Sequence, residues 1–407
     1  MRYVIIGNGA AGVGGAEGIR SRDKDGEVTI ISAEGARIYS RPLISYLVAG
    51  KVADSGMDYR PADFYERNNC KVTGERAAAV DAKGKAVILE GGARVPYDKL
   101  LVAAGSSPFV PPFEGLDTVK GKYSFSSLAD ARALGAALAP HKKALIIGAG
   151  LIGLKCAEGI SEKVASITVT DIAPRILSSI LDEGGAAAVA RHIEGKGVSF
   201  RLSSSVKRFE PGTAYLESGE AIAFDLLVTA VGVRPNTALL KGVADTDRGI
   251  IINARSETSA PDIYAAGDCA QALDASSGES KVMALLPNAY MQGECAGVNM
   301  AGGEKSFDKA VPMNAVGFFG LHIITAGNYT GNVRAAGEGD GYKRLFYSDN
   351  RLNGYIMVGD VGKAGIYTSL LRDGTPLDTL DFEQICEKPG LMAFTSKARQ
   401  EKLGEAR

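Results

Sequence analysis

Two glycine-rich stretches have the residue types and spacing of a turn that can hold a diphosphate. They are residues 7–12 (GNGAAG) and residues 148–153 (GAGLIG), and each follows a short apolar run. Glycine lets the backbone approach a pyrophosphate closely, and the amino end of the helix that follows favours its negative charge. The two stretches therefore predict two dinucleotide sites on one chain.

An acidic residue follows each glycine stretch at the distance expected for a ribose ligand. Glu34 lies 22 residues after Gly12, and Asp171 lies 18 residues after Gly153. A carboxylate at the end of the second strand accepts hydrogen bonds from a ribose diol. One glycine motif alone is weak evidence, but two copies in the same strand, turn, helix and strand context are specific.

The elements that must position these residues have the pattern of a parallel α/β fold. Apolar runs predict buried strands at residues 4–6, 28–31, 99–105, 144–147, 166–170 and 225–232. Helices are predicted from the glycine turns to about Arg20 and about Glu162. The fold class is α/β, with two Rossmann-like (βαβ) dinucleotide-binding domains, the second inserted in the first.

The composition changes after about Phe307, which predicts a separate C-terminal α+β domain. Residues 342–347 and 354–359 are expected to pair around a turn at 348–350, and residues 364–372 to form a helix. The expected domains are residues 1–108 with 240–307, residues 109–239, and residues 308–407.

Composition excludes several classes of function. A net charge of −1 gives no indication of nucleic-acid binding or of an anionic membrane surface. No apolar run reaches 18 residues, so no membrane insertion is expected, and the N-terminus lacks a signal-peptide pattern. We expect a cytoplasmic protein. No CxxC occurs and the three histidines are far apart, so no metal site is predicted.

Four motifs in a fixed order resemble the pyridine nucleotide–disulfide oxidoreductase superfamily. Residues 39–45 (YSRPLIS) resemble the YxRPxLS stretch of ferredoxin and rubredoxin reductases, and residues 258–268 (TSAPDIYAAGD) resemble TSxPxIYAxGD. Residues 103–105 (AAG) and 232–236 (GVRPN) are similar to its ATG and GxRPN turns. Residues 312–320 resemble the C-terminal interface domain of the branch that contains NADH:rubredoxin oxidoreductases and the flavin module of NADH-nitrite reductases.

The resemblance implies FAD at the first glycine turn and NADH at the second. The residues it implies for FAD are Gly7, Gly9, Ala10, Ala11, Gly12, Glu34, Arg41, Pro42, Ala103, Ala104, Gly105, Gly267 and Asp268. Those it implies for the nicotinamide nucleotide are Gly148, Gly150, Leu151, Ile152, Gly153, Asp171, Arg175 and Gly232. Asp171 would repel the 2′-phosphate of NADPH by about 4 kcal/mol at ~4 Å and an effective dielectric of ~20. Arg175 could partly offset that repulsion, but NADH is favoured.

The flavin-side redox cysteine of the superfamily's disulfide reductases has no counterpart here. Its slot aligns with Pro42, and no cysteine lies between residues 1 and 69. The five cysteines are instead interpreted as reduced, mostly buried thiols. The flavin itself must then carry the chemistry while the protein orients and tunes it.

Lys155 is the one candidate catalytic side chain. Many relatives have Glu at this position of the second motif, paired with a Lys whose slot here is Tyr46. We hypothesise that the Lys155 ammonium stabilises the anionic reduced flavin. The alternative is a solvated surface lysine, or one paired with Glu158 or Glu162.

The resulting prediction is an FAD-dependent NADH:acceptor oxidoreductase. Hydride would pass from NADH to N5 of FAD, and electrons then to rubredoxin, ferredoxin or an iron–sulfur partner subunit. One alternative is an oxidase, a peroxidase or a persulfide-type reductase. Another is an NADH-docking subunit of a larger complex, with a homo- or hetero-oligomeric contact in the C-terminal domain through Phe318 and Phe319, unless these are core. A nucleotide sensor without turnover is a third.

Overall fold

The computed structural model describes residues 1–336, 341–396 and 399–400. The chain forms two compact units. The first comprises Met1–Phe109, Ser126–Gly135 and Gly232–Ala310, and the second comprises Val110–Phe125, Ala136–Val231 and Val311–Arg407. The division into three domains with the boundaries given above stays a prediction. No helix among the described residues is long and apolar enough to cross a membrane.

The secondary structure of these residues alternates between strands and helices through most of the chain. The strands are β1 Arg2–Ile6, β2 Glu27–Ile31, β3 Cys70–Thr73, β4 Ala77–Asp81, β5 Ala86–Leu89, β6 Arg94–Pro96, β7 Lys99–Val102, β8 Ser106–Pro108, β9 Lys122–Tyr123, β10 Lys143–Ile147, β11 Ser166–Thr170, β12 Val198–Arg201, β13 Val206–Glu210, β14 Thr213–Leu216, β15 Ala221–Ala223, β16 Leu226–Thr229, β17 Val233–Pro235, β18 Ile250–Ile251, β19 Ile263–Ala265, β20 Ala270–Leu273, β21 Ser280–Lys281, β22 Met313–Phe318, β23 Leu321–Gly327, β24 Asn332–Ala336, β25 Tyr342–Ser348 and β26 Arg351–Val358. The helices are α1 Ala10–Arg22, α2 Ile44–Ala49, α3 Phe64–Arg67, α4 Leu128–Ala137, α5 Leu151–Ile160, α6 Glu183–Glu194, α7 Leu286–Met300, α8 Ala364–Asp373 and α9 Phe382–Glu387.

Each unit contains a five-stranded parallel sheet of the same plan. The first has the order β19-β7-β1-β2-β3 and the second has the order β12-β11-β10-β16-β9. In both, a glycine turn leaves the central strand and leads into a helix at the carboxyl edge. Apolar side chains bury the inner strands β1, β7, β10 and β16 on both faces, as continuous Val, Ile and Leu runs predict. The edge strands β3, β9 and β12 are partly exposed. The predicted strands are confirmed, except that β7 ends at Val102 and β16 runs only from Leu226 to Thr229, so both stop three residues before the predicted glycine.

Helices α1 and α7 of the first unit pack with their backbones in close contact. Four glycines make this possible, since a Cβ on any of them would lie 2.0–2.5 Å from a carbonyl oxygen of the other helix: Gly14, Gly18, Gly293 and Gly297. Side chains at these positions would force the helices apart. Helix α1 ends at Arg22, two residues beyond the predicted end.

The C-terminal part of the second unit contains an antiparallel sheet with the order β22-β23-β26-β25-β24. The predicted strand pair and helix are confirmed by β25, β26 and α8. Asp349 and Asn350 form the tight turn between the two strands, and both have positive φ. Tyr367 of α8 and Tyr355 of β26 are fully buried together, so this sheet has its own core.

Candidate dinucleotide sites

The first glycine turn has the backbone geometry that a pyrophosphate requires. Gly7 has φ +112°, and a Cβ there would lie 2.1 Å from the carbonyl oxygen of Ala103. A Cβ on Gly12 would lie 2.0 Å from the carbonyl oxygen of Gly7, so the helix can begin directly above the turn. A Cβ on Gly9 would meet nothing within 4 Å. The space beside Gly9 is therefore open to a ligand at the amino end of α1, where Ala10 and Ala11 begin the helix.

The second glycine turn repeats this geometry. Gly148 has φ +111°, and a Cβ there would lie 2.2 Å from the carbonyl oxygen of Ala230. A Cβ on Gly153 would lie 1.9 Å from the carbonyl oxygen of Gly148, and a Cβ on Gly150 would meet nothing within 4 Å. Leu151 and Ile152 begin helix α5 above this open space.

The two acidic residues have different partners. Glu34 is exposed and accepts hydrogen bonds from the Tyr39 hydroxyl at 2.5 Å and from Arg41. Arg41 also donates to the carbonyl oxygen of Ser126 at 2.9 Å and precedes Pro42 in a short 3-10 turn. Tyr39 belongs to the YSRPLIS motif, but its contact with Glu34 is not visible in the sequence.

Asp171 bonds the backbone of its own nucleotide motif. Its Oδ2 accepts from the Ala149 amide at 2.7 Å, inside the glycine turn, and its Oδ1 accepts from the Ala173 amide at 2.8 Å. Arg175 donates to the carbonyl oxygen of Leu181 at 3.2 Å. The carboxylate is thus held at the mouth of the second turn, and its role in coenzyme choice stays a prediction.

Asn236, the last residue of the GVRPN motif, holds the Ala103-Ala104-Gly105 turn in place. Asn236 donates from Nδ2 to the carbonyl oxygen of Ala104 at 2.8 Å, and its amide donates to the carbonyl oxygen of Gly105 at 3.0 Å. Gly232, predicted for the nicotinamide nucleotide, falls within the first unit and accepts from the Phe109 amide at 3.0 Å.

The Gly267-Asp268 turn lies beside the first glycine turn. The Gly267 amide donates to Oε1 of Gln292 at 2.9 Å, and the Ser106 hydroxyl donates to Oδ2 of Asp268 at 3.2 Å. Burial raises the pKa of Asp268, and the Ser106 hydrogen bond and the cation of Arg41 oppose that shift. Ser106 and Gln292 are site residues that no sequence motif identifies.

Four buried side-chain atoms among the described residues lack a hydrogen-bond partner, and all four belong to the first unit. They are Asn8 Oδ1, Ser45 Oγ, Asp63 Oδ1 and Asn288 Nδ2. Such an atom costs ~1–3 kcal/mol, and native proteins contain few of them. Asn8 lies in the first glycine turn and Ser45 follows the Arg41–Leu43 turn. These atoms fit a resident polar ligand in this unit, as FAD would be.

Comparison with protein-family models matches residues 1–293 to the pyridine nucleotide-disulphide oxidoreductase family. The chain belongs to this family. The predicted fold class, the enzyme class of oxidoreductase and the cofactor pair of FAD with NADH are thereby confirmed. The preference for NADH over NADPH, and the roles of single residues, stay predictions.

Among characterised members of the family, the chain is 33% identical to the NADH-dependent phenylglyoxylate dehydrogenase subunit epsilon of Aromatoleum evansii, covering 93% of each chain. It is 31% identical to nitrite reductase [NAD(P)H] of Bacillus subtilis, covering 91% of this chain but 47% of that protein. It thus spans about half of that relative. The solved structure of NADH:rubredoxin oxidoreductase from Clostridium acetobutylicum superposes with a TM-score of 0.75 at 26% identity, covering 93% of this chain and 96% of that chain.

The thiols of this family member are all held in the protonated state. Burial raises the pKa of Cys70, Cys269 and Cys386 to about 11, and it also raises the pKa of Cys156 and Cys295. A thiol needs a lowered pKa to act as a nucleophile at neutral pH. No group of three or more His, Cys, Asp or Glu that could hold a metal occurs in the described part of the chain.

Lys155 forms the ion pair that the sequence offered as the alternative to a role beside the flavin. Its ammonium pairs with Glu158, and it donates to the carbonyl oxygen of Gly317 at 3.2 Å. The two side chains are only 17% and 10% exposed. Glu158 in turn accepts from the Phe319 amide at 2.9 Å. Phe318 is fully buried, which agrees with the core alternative, whereas Phe319 is half-buried and its part in a subunit contact stays a prediction.

Proposed function

We propose that this protein is an NADH-dependent flavoenzyme that delivers electrons from resident FAD to a protein acceptor, such as rubredoxin, ferredoxin or an iron–sulfur subunit. One observation carries the proposal: two glycine turns share one geometry, but the buried side-chain atoms that lack hydrogen-bond partners among the described residues, including Asn8 Oδ1 in the first turn, all lie in the first unit. FAD, when bound, supplies acceptance of hydride and release of electrons. The raised pKa values of the five thiols leave no reactive cysteine as an intermediate carrier.

The chain's own residues hold and select the nucleotides in this proposal. Gly9 and Gly150 leave open space for the two pyrophosphates, and the helix amino ends favour their charge. Asp171, held by two backbone amides, presents a fixed carboxylate that accepts from a ribose diol and disfavours a 2′-phosphate. Asp268 and Glu34 are the polar groups proposed for the resident cofactor.

A protein acceptor is supported by relatives of nearly full length. The Clostridium acetobutylicum protein is an NADH:rubredoxin oxidoreductase, and the chain covers 96% of its structure. The Aromatoleum evansii protein is a subunit of an NADH-dependent dehydrogenase, and the chain covers 93% of it. The similarity to the Aromatoleum evansii subunit favours a second candidate function, that of an NADH-docking subunit in a larger complex. We place either form in the cytoplasm.

The test is anaerobic transfer from the NADH-reduced protein. NADH should bleach the flavin in a stopped-flow experiment, and rubredoxin or ferredoxin should restore its colour faster than air does. Faster return in air than with either protein would favour the oxidase alternative. Gel filtration of native extract separates the two candidates, since a subunit co-migrates with an iron–sulfur protein and an independent reductase does not.

A further inference from the structure

The first turn of helix α7 lies against the Gly267-Asp268 turn. A Cβ built on Gly267 would lie 3.4 Å from the Cβ of Ala289, and Gln292 accepts the Gly267 amide at 2.9 Å. Residues four apart share one face of a helix, so Asn288 lies on the face of Gln292, one turn nearer the amino end. Asn288 is therefore close to the turn assigned to the cofactor.

Asn288 is 5% exposed, and its side-chain nitrogen is one of the buried atoms without a partner. Asn299, near the other end of the same helix, provides a matched contrast because it is also 5% exposed. Its Nδ2 donates to the carbonyl oxygens of Arg255 at 2.9 Å and Lys305 at 2.8 Å, and its Oδ1 accepts from the Lys305 amide at 2.9 Å. One asparagine is thus satisfied by the chain, and the other has a donor left over.

We propose that the amide group of Asn288 donates its hydrogen bond to an acceptor atom of bound FAD and favours the reduced, anionic form. The inference rests on the proposed function, since FAD supplies the acceptor. A donor at the amino end of α7 adds to the positive end of the helix dipole. Hydrogen bonds to a charged acceptor are roughly twice as strong as those to a neutral one, so the contact should be stronger after reduction.

The first test compares Asn288→Leu with Asn299→Leu in the full-length chain. Asn288→Leu should raise the Kd of FAD about 5- to 30-fold, the effect of one or two hydrogen bonds. It should leave the thermal stability of the FAD-free chain unchanged or higher, because a buried donor without a partner has been removed. Asn299→Leu should lower the stability of the FAD-free and FAD-loaded chains alike and leave the Kd unchanged.

Asn288→Asp provides a second measurement on the loaded protein, since it keeps the shape and removes the donor. Its flavin midpoint potential should be more negative than that of the wild type. An unchanged Kd and potential in both Asn288 variants would overturn the proposal, as would loss of stability in FAD-free Asn288→Leu. Failure of the wild-type chain to bind FAD would instead overturn the proposed function.

Discussion

The two glycine turns have the same backbone but different surroundings. Gly7 and Gly148 differ by 1° in φ, and each has an open side at its third residue, Gly9 or Gly150. Around the first turn, polar side chains such as Asn8 and Asn288 keep atoms without partners. Around the second, Asp171 is already bonded to backbone amides. We infer that the first turn, with its unpartnered polar atoms, binds a resident ligand, and that the second turn binds a co-substrate that exchanges.

The helices behind the turns differ in the same direction. Helix α1 is fixed against α7 by four glycines in backbone contact, and α7 also borders Gly267-Asp268. Helix α5 instead carries an ion pair, Lys155–Glu158, that holds the β22–β23 turn. The first site is thus built on two helices in close backbone contact, and the second on a helix that is linked to the C-terminal sheet by polar contacts. We infer that the same glycine-turn geometry binds two kinds of ligand because the residues packed around the two turns differ.

The largest expected effects come from adding a side chain at the open position of each glycine turn, Gly9 or Gly150. The two substitutions should affect different ligands. Gly9→Val should yield a colourless protein without FAD, because a Cβ at Gly9 points into the open space beside the turn and the valine side chain would occupy it. Gly150→Val should keep FAD and raise the KM for NADH by about 100-fold or more, from displacement of the pyrophosphate. Absorbance and steady-state kinetics measure both.

The control for these variants is Gly135→Val in α4, where an added Cβ also meets nothing within 4 Å. It should keep both the colour and the KM. FAD retained by Gly9→Val, or lost by Gly150→Val, would contradict the assignment of the two turns.

Asp171→Ala should narrow the preference for NADH over NADPH by about 10-fold or more, because the charge that repels the 2′-phosphate is gone. The ratio of kcat/KM for the two coenzymes measures this, and Asp171→Ser should behave alike. Arg175→Ala is the companion variant and should not reduce the preference for NADH. A native enzyme with the higher kcat/KM for NADPH would show that Arg175 dominates.

Lys155→Met should lower the free energy of unfolding by about 2–3 kcal/mol, since it leaves Glu158 nearly buried without its cation. Adding Glu158→Gln should restore about half of that loss in urea titrations of the FAD-loaded protein. The hypothesis of a flavin-side lysine makes a separate prediction, namely a more negative flavin midpoint potential and slower reduction in both variants. An unaltered potential together with an unaltered reduction rate would leave Lys155 with a structural role only, in its contacts with Glu158 and Gly317.

An aspartate bonds the first residue of the central strand in both parallel sheets, and the two aspartates can be compared. Asp98 and Asp225 each accept the amide of the central strand's first residue, Arg2 or Lys143, at 2.7 and 2.8 Å. Only Asp98 also receives a guanidinium bond, from Arg2 at 2.8 Å. Asp98→Asn should therefore lower the free energy of unfolding by up to about 1 kcal/mol at pH 7, which is more than the loss expected for Asp225→Asn.

The difference in free energy of unfolding between Asp98→Asn and Asp225→Asn should depend on pH. Hydrogen bonds from Arg2 lower the pKa of Asp98 to about 2, below the ~3.9 of an unfolded chain. The stabilisation is then complete above about pH 4 and is lost as the pH falls towards 2. Unfolding titrations between pH 7 and 3 should show the gap between the two variants narrowing, and a gap that is constant across this range would contradict the ion pair.

The smallest expected effect is that of the thiols on flavin reduction. Each of the five Cys→Ser variants should keep NADH-driven bleaching at a rate close to that of the wild type, because burial keeps every thiol protonated. Stopped-flow absorbance at equal FAD content is the measurement. Loss of bleaching in a folded, FAD-loaded variant would restore a thiol-dependent mechanism.

The sequence by itself determined the two βαβ units, their glycine turns and the family. These follow from local rules: apolar runs form buried strands, and Gly7 and Gly148 occupy backbone conformations that residues with a Cβ rarely adopt. The fingerprint acids Glu34 and Asp171 are also fixed by distance along the chain. Even the helix ends were predicted to within two residues, at Arg22 and Ile160.

Only the tertiary structure decided which partners the polar groups found. Asn236 fastens a turn 132 residues away, and Lys155 bonds a carbonyl 162 residues away. The burial of Asn288 without an acceptor depends on how α7 packs against the Gly267-Asp268 turn. No local pattern encodes such contacts, because they depend on which distant segments the packed core brings together and on how much water it excludes.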